Sequence, residues 1–447
     1  MKIAVIGAGI SGLGCAWLLN QQHEITVYEA AERLGGHSNT VEITGPSGPI
    51  PVDTGFIVYN ELNYPNLTRL FDHLKVRTRQ SVMSLGLSFD GGRLEYAGDT
   101  VAGLFAQRRN LLKPGFYGMV AEILRFYRQA PAVLAQPDAD GLTLGAYLHR
   151  HRYGRRFVHQ HLLPMAAAIW SCPAEQMLEF PVTSFVRFCD NHGLLKVSDR
   201  PAWRTVEGGS REYVRRLAAS FADKVRLGTP VRAVHRTGHG VEVTDQSGLI
   251  QHFDQVVFAC HGDQAARLLI DTTPGETAVL RSFRYQQNRA LLHRDPSLMP
   301  RRRRVWSSWN YLARQSANAS GNSVSITYWM NRLQGLDGAP DLFVSLNPLD
   351  EPDPTLVERE FFYDHPMFDQ RAMAAQRRLA GLQGAGGVWF CGSYCGWGFH
   401  EDGLAAGLAV ARALGAEPPW RTAPAFAAEA VWPLTAAPAL TALEDAA

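Results

Sequence analysis

Lysine is scarce in this chain. Of 44 basic residues only five are lysine, at positions 2, 75, 113, 196 and 224, and none follows Lys224. Excess charge is lacking too: a formal net charge of +2 gives no case for nucleic acid. The nearest basic patch, Arg301 to Arg304, reads as a solvated loop after Pro300. Cysteine is sparse and scattered, mostly in apolar runs, which speaks for a reducing compartment and against a disulfide framework. Cys391 and Cys395 have no second pair, so no metal site is expected. The central apolar run Leu162 to Trp170 is too short to span a bilayer. No secretory leader is expected either, because glycines break the first apolar run at once and no small-residue cleavage site follows. A cytoplasmic location is the expectation.

What is present suits a globular protein. The 447 residues are 46% hydrophobic and 19% charged, too many for one simple core, and two intimately connected domains are expected. Met1 to Ile6 is an apolar run that breaks into Gly7-Ala8-Gly9-Ile10-Ser11-Gly12. A helical pattern runs on to Leu19, and a second apolar run, Ile25 to Tyr28, ends on Glu29. This is the pattern of a β-α-β unit that cradles a dinucleotide. Gly7 suits the tight turn, Gly9 a close approach of backbone to pyrophosphate, and Gly12 close packing of helix on strand. Glu29 lies where a carboxylate accepts hydrogen bonds from a ribose.

Further along, Tyr64 to Leu74 and Phe116 to Tyr127 carry apolar residues at helical spacing. Leu85 to Tyr96 reads as a hairpin around Asp90-Gly91-Gly92, and Leu142 to about Ser171 as helical. Leu104 to Tyr127 mixes apolar and basic residues, a solvated helical face or one that rests on a membrane surface. Val225 to Val234 reads as one strand, and Phe253 to Ala259 as a buried strand ending in Cys260-His261. Residues 275 to 350 read as the main sheet of a second domain. Its aromatic stripes at Val305 to Tyr311 and Ser323 to Trp329 suit either sheet packing or a ligand wall. Val388 to Gly392 is a strand ending on glycine, and a helix is expected from Leu404 to Leu414.

Several motifs together carry a resemblance: GAGISGLG (7–14), YEAAERLGGHSNTV (28–41), VDTGFIVYN (52–60), RTVEGGSREYV (204–214) and FCGSYCGWGFHEDGL (390–404). With YPNLTRLF, LPMAAAIWS and FPVTSFVRFCDNHGLL they resemble a bacterial family of NAD/FAD-binding proteins in the flavin-containing amine oxidase superfamily. The resemblance implies an α/β fold: a Rossmann-like FAD-binding domain of the glutathione reductase/amine oxidase type, with an interleaved α+β substrate domain. The FAD-binding domain would take residues 1–60, 200–275 and 385–420, and the substrate domain 61–199 and 276–384. Residues 421–447 would form a tail.

The resemblance also implies non-covalent FAD rather than NAD. Its expected binding residues are Gly7, Gly9, Ser11, Gly12, Glu29, Arg33, Gly35, Gly36, His37, Thr54, Gly55, Val231, Gly392, Gly403 and Leu404. A similar domain is fused to plant cyclopropane fatty-acid synthases, and some relatives act as fatty-acyl desaturases in furan fatty acid synthesis. A lipid or fatty-acyl substrate is therefore the expectation, with a cyclopropane-synthase-type methyltransferase as a candidate partner and peripheral contact with the inner membrane face. Candidate catalytic residues are His400, Glu401 and His261, each able to move a proton. Many amine oxidases hold a water near the flavin with a lysine from the second half of the chain, and this sequence has none there. Two other readings stay open: an amine oxidase on a small amine, and a flavin-bearing partner of a lipid methyltransferase without turnover of its own.

Overall fold

The computed structural model describes residues 1–136, 141–170, 174–314 and 323–420. Strand β1 (Lys2–Ile6) is apolar and buried on both faces, as a central parallel strand must be. It passes through a tight turn at Gly7, whose φ of +106° favours glycine, into helix α1 (Ile10–Leu19). The chain returns as β2 (Glu24–Tyr28), parallel to β1 with Val5 beside Val27. Three distant segments complete a five-stranded parallel sheet. Its order is Val225–Arg226, β2, β1, Gln255–Phe258 and Val388–Phe390. This is a Rossmann-like fold assembled from both ends and the middle of the chain.

A second, seven-stranded mixed sheet has its own core. Its order is Val357–Met367, Arg284–His293, Phe343–Leu346, Ser323–Trp329, Trp309–Arg314, Leu85–Phe89 and Leu94–Ala97. Helices α2 (Pro65–His73), Pro114–Gln129 and Leu163–Trp170 belong to the intervening chain. Phe116, Met119, Ile123 and Phe126 recur at helical spacing and are buried, which fixes the inner face of helix Pro114–Gln129.

The long C-terminal helix, His400–Ala413, lies against α1. A Cβ on Gly407 would stand 2.2 Å from the Ser11 carbonyl oxygen, so only glycine permits this approach. The close crossing brings the start of the C-terminal helix next to the first glycine-rich turn.

Four expectations need correction. The stretch Val225 to Val234 is two strands, Val225–Arg226 and Val231–Thr237, in different sheets. Gly228 turns the chain there with a φ of +56°, and Pro230 has no N–H for a ladder. The C-terminal helix starts at His400, not Leu404. Asp402 accepts a hydrogen bond from the Phe399 N–H at 2.9 Å and fixes that earlier start. The large sheet begins at Arg284 and recruits strands from 85–97 and 357–367, beyond the expected span. The stripe at Val305 to Tyr311 becomes a strand only at Trp309. The tail 421–447 lies outside the described residues.

Candidate functional site

One cavity of ≈ 1320 Å³ joins the two sheets. At one end it is lined by Gly7, Gly9, Ser11, Glu29, Gly35 and Gly36. Gly9 precedes helix α1 and supplies no side-chain cap, so the helix's first N–H groups and positive dipole end are left for an anion at the cavity wall. A Cβ at Gly9 would meet nothing within 4 Å, so the space in front of that turn is open. The Glu29 carboxylate accepts from the N–H of Ala8 at 2.7 Å and of Ala31 at 2.9 Å, which holds it at the end of β2.

The middle of the cavity is ringed by imidazoles: His37, His261, His365 and His400 all line it. The His400 ring stacks on Phe56 at 3.9 Å between centroids and 10° between planes. Its Nε2 is 2.7 Å from the Tyr213 hydroxyl. Burial pushes its pKa down to about 3, so the ring is neutral. His365 is likewise held down to about 4, chiefly by burial, with Nδ1 2.9 Å from Asn288 Nδ2. His261 lies flat on Tyr285, with ring centroids 4.1 Å apart, and burial lowers its pKa. His37 sits beside His365 and Tyr363, and burial with the surrounding histidines holds it well below the ordinary range.

The far lobe is mainly apolar, with Tyr127, His161 and Arg200 as polar groups in the same lining. Leu85, Leu87, Ile123, Met165, Ala168 and Ile169 line it, with Phe188 and Tyr328. Met165, Ala168 and Ile169 share one helix face by their i, i+3, i+4 spacing. Of the aromatic stripes, Trp309 and Tyr328 line the cavity, whereas Trp306 packs with Met299 and Phe343 in a separate core. The Trp170 side chain lies outside the described residues.

Other expected residues take supporting places. Glu401 does not line the cavity. Its carboxylate accepts from the N–H of Asn66 at 2.9 Å and of Leu67 at 3.0 Å, at the start of α2. That duty sets the carboxylate at the positive end of α2, apart from the cavity where a catalytic part was expected. Arg33 points its guanidinium at the carbonyl oxygens of Gly36 and Ser38 and stiffens the Gly35–Gly36 turn, rather than lining the cavity. Gly12, Gly403 and Leu404 pack behind the lining: Gly403 lies against Ser11, and Leu404 against Gly14. His37, Thr54, Gly55, Val231 and Gly392 line the cavity directly. Thr54 Oγ1 is 2.7 Å from the Tyr363 hydroxyl. Cys395 is buried in the core, outside the cavity lining, in a place unsuited to a thioether link.

Sequence reasoning missed Tyr363 and His365, which line the cavity. Phe361, Tyr363 and His365 alternate along one strand, so Tyr363 and His365 share a face. That alternation was the available signal.

The residues present fit FAD. The open turn at Gly9, the bare Gly35–Gly36 backbone and the Glu29 carboxylate suit a pyrophosphate and a ribose. The buried Tyr394 hydroxyl and Trp309 Nε1 have no hydrogen-bond partner among the described residues, and both residues line the same cavity. Such orphaned groups suit a site that is completed by a bound molecule.

A model of the flavin containing amine oxidoreductase family matches residues 10–291. A Mycobacterium tuberculosis (strain H37Rv) protein named for flavin-containing monoamine oxidase, AofH, is 28% identical over 56% of this chain and 54% of its own length. An L-amino acid dehydrogenase of Synechocystis is 25% identical over 55% of this chain and 53% of its own length. The chain spans about half the length of the curated relatives it matches. Among solved structures, cyclohexylamine oxidase from Brevibacterium oxydans superposes with a TM-score of 0.66 at 17% identity, covering 92% of this chain and 99% of that one. A conjugated-linoleic-acid-producing fatty acid isomerase from P. acnes superposes with a TM-score of 0.62 at 12% identity, covering 91% and 96%. These likenesses show the fold. With more than half of its length matched by the family model, the chain belongs to the flavin-containing amine oxidoreductase family and uses FAD as its cofactor.

Proposed function

We propose that the protein is an FAD-dependent oxidoreductase that removes two hydrogens from a fatty-acyl chain of a lipid, as a desaturase does. The observation that carries this reading is the continuity of the cavity. The same space that begins at Gly9 and Glu29 ends in a lobe of Leu87, Ile123, Met165, Ala168 and Ile169. An apolar wall of this kind holds an acyl chain chiefly by burial. No lysine is among the described lining residues, so the site has no ammonium of that kind beside the reacting carbon.

Bound FAD supplies the two-electron acceptor chemistry. The chain's own residues orient the substrate, exclude water and take a proton. Neutral imidazoles suit the last task, because an imidazolium has no free base. His400 and His261 were expected there from sequence, and His365 and His37 join them in the cavity wall. The matched fatty acid isomerase supports a lipid reading, since a protein of similar fold is named for action on a fatty acid.

An amine substrate is the second reading, favoured by the monoamine oxidase name of the mycobacterial relative. The test is anaerobic mixing of the FAD-loaded protein with methyl-branched or unsaturated phospholipid, and separately with amines, while flavin absorbance is followed. Bleaching by lipid is the expected result. Bleaching by amines alone overturns the acyl-chain reading. Bleaching by neither points to a flavoprotein partner of a lipid-modifying enzyme.

A further inference from the structure

Several residues of the cavity wall are also open to solvent. Val82 is 49% exposed, Leu124 51% and Val197 72%, although all three line the cavity. They mark its mouth. The neighbouring surface continues the same apolar character. Val101 is 76% exposed and Leu112 86%, and Leu111 and Tyr117 are also exposed. Single exposed apolar residues need no explanation, but a contiguous set around a cavity mouth does.

Hydrogen bonds tie parts of this set together. The Gly98 N–H donates to the Leu85 carbonyl at 3.2 Å, which puts the segment that carries Val82 next to the one that leads to Val101. The Tyr117 hydroxyl donates to the Leu111 carbonyl at 3.0 Å, which ties the turn Arg108–Leu112 to helix Pro114–Gln129. Along that helix Tyr117, Ala121, Leu124 and Arg128 fall on one exposed stripe, opposite the buried Phe116, Met119, Ile123 and Phe126. Near its end, Tyr127 feels the charge of Arg200, in the loop that carries Val197.

Cations frame the stripe. Arg108, Arg109 and Arg128 are exposed. Arg156 packs over Gly115 at the start of the helix. Partial desolvation, with the charges of Arg109, Arg156 and Arg93, holds the Lys113 ammonium below its ordinary value. Arg93 lies near Asp90, and Arg125 near Glu122, so part of the positive charge is locally balanced. A crowd of cations around Lys113 is complementary to a surface of fixed negative charge. Apolar residues among basic ones are the composition of a face that lies in the interfacial plane of a bilayer. Among the described residues no helix is long and apolar enough to cross a membrane, so this face would rest on the bilayer rather than anchor through it.

We infer that the rim formed by Val82, Val101, the turn Arg108–Leu112, the outer face of helix Pro114–Gln129 and Val197 docks on an anionic phospholipid bilayer, placing the cavity mouth against the lipid. This inference rests on the acyl-chain reading above for its purpose, but it stands on the surface alone for its binding. An acyl chain then enters the lobe directly from the bilayer, without passing through water.

The test uses the full FAD-loaded protein with two vesicle preparations. One is phosphatidylcholine alone, and the other has one part phosphatidylglycerol to two parts phosphatidylcholine. Co-flotation with the anionic vesicles, reduced by salt, is expected. Arg108→Gln and Arg109→Gln are each expected to weaken binding about fivefold, the worth of one basic residue near a charged surface. Leu112→Asp is expected to weaken it at least about tenfold through lost apolar insertion. Unchanged FAD content and melting temperature in these surface variants show that the fold is intact. Equal binding to neutral vesicles, absence of binding, or a protein dimer that Leu112→Asp dissociates would each overturn the inference. The two readings fail separately. Detergent-dispersed lipid that bleaches the flavin without vesicle binding removes the docking surface. Vesicle binding with no lipid able to bleach the flavin removes the acyl-chain chemistry.

Discussion

The Tyr213 hydroxyl stands 2.7 Å from His400 Nε2 and 2.5 Å from Ser38 Oγ. Three distant stretches of chain therefore meet at one imidazole. Phe56 stacks on its face, so ring plane and edge are both fixed. Such a ring keeps one orientation, which a proton-transfer group needs. If His400 takes the substrate proton, His400→Ala lowers kcat about 10²- to 10⁴-fold with FAD still bound. Tyr213→Phe removes one hydrogen bond worth about 1 kcal/mol and lowers kcat about fivefold. With Tyr213 as donor, its loss also moves the acidic limb of the pH–rate profile toward neutral pH, because the neutral ring loses a stabilising partner. Steady-state rates across pH check both variants, and an unchanged kcat in His400→Ala assigns His400 to packing.

Stability falls on acidification from about pH 6.5, where unfolded histidine begins to take up protons. In the fold, burial holds His161, His192, His293 and His365 down to about 4, and His400 to about 3. Below pH 6.5 the unfolded chain binds protons there that the folded chain refuses, so each ring contributes stability that is lost as pH falls toward 4. Burial raises Asp53 to about 6, and Glu401 and Asp402 to about 7, which acts in the opposite direction. The five imidazoles outnumber the three carboxyls, so the net slope follows the histidines. His161→Gln removes one refused proton and makes the fall shallower by up to about 1.4 kcal/mol per pH unit. Urea unfolding at a series of pH values reads the slope, and a variant as steep as the parent contradicts the assignment.

The fold was most legible where consecutive residues dictate their own backbone. Gly7, Gly9 and Glu29 lie within one β-α-β unit, and their geometry follows from the turn, the helix start and the strand end. Tyr363 and His365 were illegible for the opposite reason. Which face of their strand meets the cavity depends on pairing with Arg284–His293, where Tyr285 faces Pro366 and Asn288 faces Tyr363. Glu401 shows the middle case. An acid in a first helical turn is readable, but its partners, the N–H groups of Asn66 and Leu67, lie more than 300 residues away. Sequence placed it near chemistry, and tertiary packing gave it to a helix start.

Gly9 and Gly12 separate cofactor binding from folding. A Cβ on Gly9 meets nothing within 4 Å and projects into the open turn. A Cβ on Gly12 would lie 1.9 Å from the Gly7 carbonyl oxygen, inside the strand–helix contact. Gly9→Ala therefore leaves the apoprotein's melting temperature within a degree or two, while FAD is held about ten- to a hundredfold less tightly, an overpacking cost of about 1–3 kcal/mol. Gly12→Ala lowers the melting temperature of the apoprotein itself. Flavin titration and thermal unfolding of both apoproteins check this. Equal FAD affinity in Gly9→Ala and the parent would mean that the pyrophosphate does not lie against that turn.

The apolar lobe yields the prediction that bears most directly on substrate class. Ala168 is buried and lines the lobe beside Met165 and Ile169, far along the chain from the glycine-rich turn. Ala168→Phe fills that end of the cavity and adds about 1–3 kcal/mol of overpacking, which a folded domain of this size survives. The dinucleotide end is untouched, so FAD content stays at the parental level. A long acyl chain needs the blocked space, and a small amine does not. The expected result is a loss of flavin bleaching by long-chain lipid of at least about tenfold, since each excluded methylene forfeits about 0.8 kcal/mol of burial. A shorter acyl chain is expected to recover part of that loss. Bleaching by small amines that is fully retained, with no response to acyl length in either protein, would move the substrate out of the lobe and into the polar middle of the cavity.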